Sequence, residues 1–259
     1  MSFPIPSPTN SARSLNGRLK AFRQAFEATA DPRVVSAFAR AQSALESAGI
    51  MNEAVKAGQF MPEFTRAGLG GRPLAPTTLL KRGPVVVSFH RGDWCDYCTM
   101  ELAGMSAAFQ DIAGLGASLI AISPQPPDAR LRADVLRFPL LVDVDAHVAR
   151  RCGIAYSVPD EIRPIYTMAG RKPPVGQPDS WLRPLPATYV VDWTGEIALS
   201  YVNIDYTSRL EPLDIIACLK MLTRLERRQH PSRPVHERLP TRWHGRPAIT
   251  HQRSSKRNP

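Results

Sequence analysis

The chain is poor in cysteine, with four in 259 residues. That is too few for the disulfide framework of a small secreted domain. It has no stretch near the ~20 consecutive apolar residues of a membrane span. Its first residues, MSFPIPSPTNSARSLNG, lack the apolar run of a secretory leader. The expectation is a cytoplasmic protein with no membrane partner. In a reducing compartment, closely spaced cysteines serve catalysis or metal binding more often than permanent cross-links. Acidic residues are almost missing at one end. From Arg227 to Pro259 nine basic residues face the single Glu237, so eight of the ten net positive charges sit there. The rest of the chain is close to neutral. Nucleic acid is therefore not expected as a partner of the folded body, and only the basic tail could reach one.

Apolar residues make up 43% of the sequence, enough for a sizeable core. Residues 1–17 are polar and proline-rich and are expected to be disordered. Residues 18–56 form a helical extension. Leu19, Phe22 and Phe26 recur at helical spacing, as do Val35, Phe38 and Leu45. Asp31 is a candidate N-cap with Pro32 in the first turn, and Gly49 a stop. A loop-rich stretch runs from Ala57 to Gly83. Val85 to Phe89 then reads as a strand buried on both faces. A helix follows the cysteine motif to about Leu115, with Leu102, Met105, Phe109 and Ile112 on one face. Further strands are expected at 118–122, 138–142, 187–191 and 197–202, the last two joined as a hairpin through Asp192-Trp193-Thr194-Gly195. A last helix spans Glu211 to about Arg227. The order strand–helix–strand, then hairpin and helix, is α/β. It predicts a thioredoxin-like fold over residues 57–226, a central mixed sheet flanked by helices. Residues 227–259 are expected to be a disordered basic tail.

The chemistry concentrates in Arg91-Gly92-Asp93-Trp94-Cys95-Asp96-Tyr97-Cys98. A strand ends, a loop follows and a helix begins at the cysteines. Thiolate is the reactive form, and a helix N-terminus with unpaired N–H groups stabilises an anion. Arg91 folded over the site would stabilise it further. Cysteines three apart on one turn reach each other, so a sulfenic acid on one can be resolved by the other. A zinc site needs four ligands, and Cys152 and Cys218 stand alone as small buried hydrophobes. No metal or bound cofactor is expected.

At these residues the sequence resembles the peroxiredoxin-like branch of the alkyl hydroperoxide reductase/thiol-specific antioxidant (AhpC/TSA) family, within the thioredoxin-fold superfamily. The likeness continues through Ala121-Ile122-Ser123-Pro124-Gln125, Pro186-Ala187-Thr188-Tyr189-Val190-Val191-Asp192 and Asp205-Tyr206-x-x-Arg209-x-x-Pro212. It covers roughly residues 18–225. The resemblance puts the peroxide-attacking position on Cys98 and the motif's later glutamate on Glu101. Cys95 stands where the family has threonine, Arg91 where it has proline, and Pro186 where it has a later arginine. A CxxC facing a cis-proline is a thioredoxin feature, and Pro186 occupies that proline's place. Trp94 and Tyr97 are expected to wall the site, with Thr188 beside Pro186. Arg91 is expected to be the only nearby cation from the motif, with Arg183 a second candidate and His90 a possible modulator.

The resemblance implies a thiol-dependent peroxidase. A Cys95/Cys98 pair reduces hydrogen peroxide or an alkyl hydroperoxide, and thioredoxin or a glutaredoxin-like dithiol restores it. The alternative is a thiol–disulfide oxidoreductase of thioredoxin type, in which Cys95 attacks. A third reading makes the chain mainly a binding protein through its tail. The expected assembly is a monomer or a dimer.

Overall fold

The computed structural model describes residues 14–68, 71–92, 94–126, 136–170 and 181–229. A five-stranded mixed sheet organises the molecule. Its strands are β3 (Val85–Phe89), β4 (Ser118–Ser123), β5 (Leu140–Val142), β8 (Ala187–Val191) and β9 (Ile197–Val202), in the order β5-β4-β3-β8-β9. β3 pairs in parallel with β4, and β4 with β5, while β3–β8 and β8–β9 are antiparallel. Two small antiparallel pairs flank it: β1 (Arg66–Ala67) with β2 (Pro73–Leu74), and β6 (Ala155–Ser157) with β7 (Leu182–Pro184). The helices are α1 (Leu15–Thr29), α2 (Pro32–Ser47), α3 (Pro76–Leu80), α4 (Asp96–Gly114), α5 (His147–Arg151), α6 (Arg163–Met168) and α7 (Pro212–Gln229).

The central strands read as continuous apolar runs because both faces are covered. All five residues of β3 are buried, and strand geometry sends alternate side chains to opposite faces. Val85, Val87 and Phe89 join the core that includes α1, Ile154 and Tyr166. Val86 joins Leu102, Met105 and Ile112 of α4 and Ile215 and Leu219 of α7 on the other side. The β8–β9 connection closes as expected: Gly195 N donates to Asp192 O, and Asp192 Oδ1 accepts from Thr194 N at 2.8 Å.

The helical extension starts earlier than expected. Residues 14–17 belong to the fold: Ser14 caps α1 by accepting from Gly17 N. Leu15 and Leu19 are almost fully buried, and Phe22 is 9% exposed. At about 2 kcal/mol per buried side chain, these three contribute on the order of 6 kcal/mol, which is why the ordered chain reaches back past residue 18. Glu211 completes the cap, accepting from Leu15 N at 3.0 Å and Asn16 N at 2.7 Å. Unpaired N–H groups and the helix dipole both favour a carboxylate there. Asp31 caps α2 through Arg33 N, with Pro32 in its first turn.

At the other end α7 continues to Gln229, three residues into the expected tail, with Arg227 and Arg228 in its last turn, where cations suit the dipole. Residues 230–259, most of that tail, lie outside the described residues, as do 1–13. Among the described residues, no helix is long and apolar enough to cross a membrane. The short pairs β1–β2 and β6–β7 and the helices α3 and α6 occupy stretches for which no element was expected.

Candidate active site

β3 delivers the chain to the site. His90 N donates to Ile122 O, extending the parallel ladder by one bond. Gly92 then turns back at φ +132°, and a Cβ there would lie 2.5 Å from the Trp94 ring nitrogen. Only glycine lets Trp94 fold over this loop. Cys95 is the residue before the first turn of α4, and Thr99 N donates to its carbonyl. Cys98 sits three residues on, within that first turn. Both sulfurs are free thiols; Cys95 is 3% exposed and Cys98 fully buried.

Three donors converge on Cys98 Sγ. The Arg91 backbone N–H lies at 3.4 Å and Arg209 Nη2 also at 3.4 Å. The Cys95 thiol supplies the third hydrogen bond. Burial pushes the Cys98 thiol up, but the Cys95 bond, the Arg209 charge and the Arg91 N–H outweigh it and bring it from 9.0 down to about 6. Cys95 goes the other way. Its hydrogen bond to Cys98, burial and the neighbouring sulfur's charge push it well above the usual thiol range. One sulfur is set up as thiolate and the other as its proton donor.

Arg209 was missing from the sequence expectation, which made Arg91 the only nearby cation of the motif. Arg209 is 2% exposed. Its Nε donates to Glu101 Oε2 at 2.7 Å, and its Nη1 donates to the carbonyls of Tyr206 and Ser208. Burial opposes its charge, but Glu101 and the two sulfurs hold it protonated. Glu101 is 1% exposed, and Thr188 Oγ1 lies 3.5 Å from its Oε1. Burial raises the Glu101 carboxyl, and Arg209 works against that rise. Glu101 and Thr188 therefore reach Cys98 through Arg209.

Arg91 is buried as well, in an aromatic cage. Its guanidinium carbon lies 5.2 Å from the Trp94 ring centre, 5.6 Å from Tyr166 and 4.5 Å from Tyr206. Its Nη2 donates to the Tyr166 hydroxyl. Cation–π contacts of this kind are worth about 2 kcal/mol when desolvated, so a solvent-exposed arginine is not what this position holds. Tyr97 packs edge-on against Phe22 of α1 and against Tyr206. A pocket of about 100 Å³ opens beside Arg91, Trp94, Cys95 and Tyr97, walled by Phe22 and Phe26 of α1 and by Phe38 of α2. The helical extension thus covers Cys95.

Other expectations change. Pro186 is buried at the start of β8, but no peptide bond among the described residues is cis. The cis-proline expected opposite the cysteines is a trans proline leading into a central strand, where Asn203 N donates to its carbonyl. Arg183, on β7, is fully buried and donates to Leu182 O. Burial and the like charge of Arg91 lower its pKa. His90 is buried. Asp93 lies outside the described residues. Cys152 is fully buried, its thiol pushed up to about 12 mainly by burial, as suits an inert side chain.

A model of the AhpC/TSA family matches residues 57–200, more than half of the chain. The chain belongs to the AhpC/TSA family. A Mycobacterium tuberculosis protein named "Putative peroxiredoxin" is 29% identical over 114 residues, which is 43% of this chain and 74% of that relative. The reduced 2-Cys peroxiredoxin of Plasmodium vivax superposes with a TM-score of 0.50 at 14% identity, covering 67% of this chain and 84% of that one. A mutant of peroxiredoxin 6 from Arenicola marina gives 0.51 at 17% identity, covering 64% and 73%. At such identities the two structures establish the shared thioredoxin-like fold. Arg209, in the loop before α7, reaches the Cys98 sulfur from 111 residues further along the chain.

Proposed function

We propose that this AhpC/TSA protein is a thiol peroxidase in which Cys98 attacks the peroxide and Cys95 resolves the product. The observation that carries the assignment is the convergence of the Arg91 N–H, Arg209 and the Cys95 thiol on one buried sulfur, which lowers its pKa to about 6. At neutral pH that sulfur is mostly thiolate. Its electron pair attacks one peroxide oxygen, and the O–O bond breaks. Water or an alcohol leaves after taking a proton, and Cys98 becomes a sulfenic acid. Cys95 then attacks the Cys98 sulfur. The leaving hydroxide takes the Cys95 proton, giving water and a Cys95–Cys98 disulfide. Family membership supports a peroxide substrate and a thioredoxin-type dithiol as reductant. The reading includes a cytoplasmic setting that keeps both thiols reduced, and a protein acting as a monomer or dimer.

In the test, reduced wild type, Cys95→Ser and Cys98→Ser are mixed with excess hydrogen peroxide while thiols and sulfenic acid are followed. Wild type is expected to lose two thiols rapidly, Cys95→Ser to accumulate a sulfenic acid, and Cys98→Ser to react no faster than a small free thiol. Slow thiol loss in the wild type removes the peroxidase reading. One observation favours a thiol–disulfide oxidoreductase instead: Cys95, not Cys98, faces the pocket. That reading predicts faster oxidation by a protein disulfide than by peroxide.

A further inference from the structure

Two features at this site have no part in the proposed peroxide chemistry. Arg91 is 2% exposed, its Nε has no hydrogen-bond partner, and no carboxylate among the described residues pairs with it. The pocket beside it is lined by Arg91 and Cys95 but not by Cys98. A buried guanidinium with an unmade donor is costly unless something fills the position.

Charge balance changes with oxidation state. In the dithiol state, Glu101 and the Cys98 thiolate offset Arg209 and Arg91. Forming the disulfide removes the thiolate and leaves two guanidiniums facing the buried Glu101; the pocket's other carboxylate, Asp96, is exposed to solvent at its rim, where water screens its charge. Arg183 is close enough for its charge and that of Arg91 to oppose each other. The oxidised site is therefore the form that favours an incoming anion. The pocket admits only a small one. At about 100 Å³ it is somewhat smaller than the ~150 Å³ cavity that takes up benzene. Phe22, Phe26 and Phe38 of the helical hairpin stand over Cys95, which keeps a protein side chain from the sulfur while that hairpin is in place.

We propose that this pocket binds a small thiol carrying a carboxylate, seated on Arg91 with its sulfur at Cys95, giving the protein a second route of reduction besides a dithiol protein. The inference rests on the Cys95–Cys98 disulfide of the proposed function. The bound thiolate attacks Cys95 Sγ, the S–S bond breaks, and its electrons leave on Cys98, which returns as the thiolate held by Arg209. A more acidic thiol is the better leaving group. A second small thiolate attacks the outer sulfur of the mixed disulfide. Cys95 leaves and takes up a proton, and the small molecule departs as its own disulfide. Two small thiols are oxidised as the protein gains two electrons.

The test starts from protein oxidised with one equivalent of hydrogen peroxide, its disulfide verified by intact mass. It is then reduced with 3-mercaptopropionate or 2-mercaptoethanol, and protein thiols are counted after acid quenching. Each rate is normalised to that thiol's reaction with a small linear disulfide. One charge-assisted hydrogen bond predicts a preference of about tenfold or more for the carboxylate thiol. Propionate should compete with it, and Arg91→Gln should abolish the preference while Arg91→Lys keeps part of it. Equal normalised rates, no competition by propionate, or a preference surviving in Arg91→Gln would overturn the proposal. The propionate experiment on wild type stands even if Arg91→Gln fails to fold. Failure to form the disulfide at all would instead overturn the proposed function.

Discussion

Replacing Arg209 with methionine removes the charge 3.4 Å from Cys98 Sγ and leaves the buried Glu101 without its cation. A hydrogen bond to a charged group is worth about 1.5–3 kcal/mol, and one pH unit of pKa corresponds to about 1.36 kcal/mol. The Cys98 titration should therefore move up from about 6 by roughly one to two pH units. Thiolate at pH 7 would fall from about 90% to between about 10% and 50%, and the peroxide rate at that pH would fall with it. The variant also costs stability, since stripping one partner from a buried ion pair typically costs about 3–5 kcal/mol. Arg209→Met with Glu101→Gln removes both charges and should recover much of that loss. The assay is ultraviolet thiolate absorbance against pH, which needs no reagent to reach a buried sulfur. Cys152 and Cys218 stay silent because burial raises both thiols. An unchanged midpoint in a folded Arg209→Met protein would show that Arg209 does not set the thiolate, and the assignment of Cys98 as nucleophile would lose its main support.

Two further outcomes follow from the same geometry. Because folding lowers the Cys98 pKa, its thiolate contributes stability that is full above 9.0 and gone below about 6. Denaturant unfolding of the reduced protein should therefore show about 2 kcal/mol more stability at pH 8 than at pH 6 from this group, absent in Cys98→Ser; a wild type and variant with parallel pH profiles would refute it. Gly153→Ala should be among the most destabilising surface-loop changes, by about 2 kcal/mol or more. Gly153 has φ +66°, and the new Cβ would fall 1.8 Å from the Glu53 carbonyl oxygen. A thermal midpoint within error of wild type would contradict it.

The central strands, the cysteine-bearing helix and the β8–β9 turn were legible because each is specified by its own residues: continuous apolar runs, a helix start at the motif, and an Asp-x-x-Gly connection. The Asp31 cap was legible for the same reason. Arg209 was not. The Asp205-Tyr206-x-x-Arg209 segment stood out as a resemblance, yet no local pattern tells an arginine of a loop that its guanidinium will meet a sulfur 111 residues away. Glu101 could equally have been a surface charge by sequence, since helical spacing does not reveal that α7 and the loop before it close over that face. The short strand pairs β1–β2 and β6–β7 have two or three residues per strand, too short for alternation to register. They form because neighbouring elements supply the burial.

The anchoring of α1 suggests that the two sulfurs are controlled together. Arg209, which charges Cys98, and Glu211, which caps α1, are two residues apart. Asn16 bonds both the N–H and the carbonyl of Arg209. The helix whose Phe22 and Phe26 cover Cys95 therefore hangs from the segment that positions the guanidinium at Cys98. Glu211→Ala removes two backbone partners and a favourable charge at the helix start, a loss of about 1–2 kcal/mol. If the coupling is real, that substitution should be felt at both cysteines. Cys95 should become several-fold more reactive toward a bulky maleimide, and the Cys98 thiolate should titrate higher than in wild type. Glu211→Asp, which keeps the charge on a shorter arm, should fall between. Faster labelling of Cys95 with an unmoved Cys98 titration would mean that α1 is only a cover. Movement of both would mean that opening the pocket and discharging the thiolate are one event.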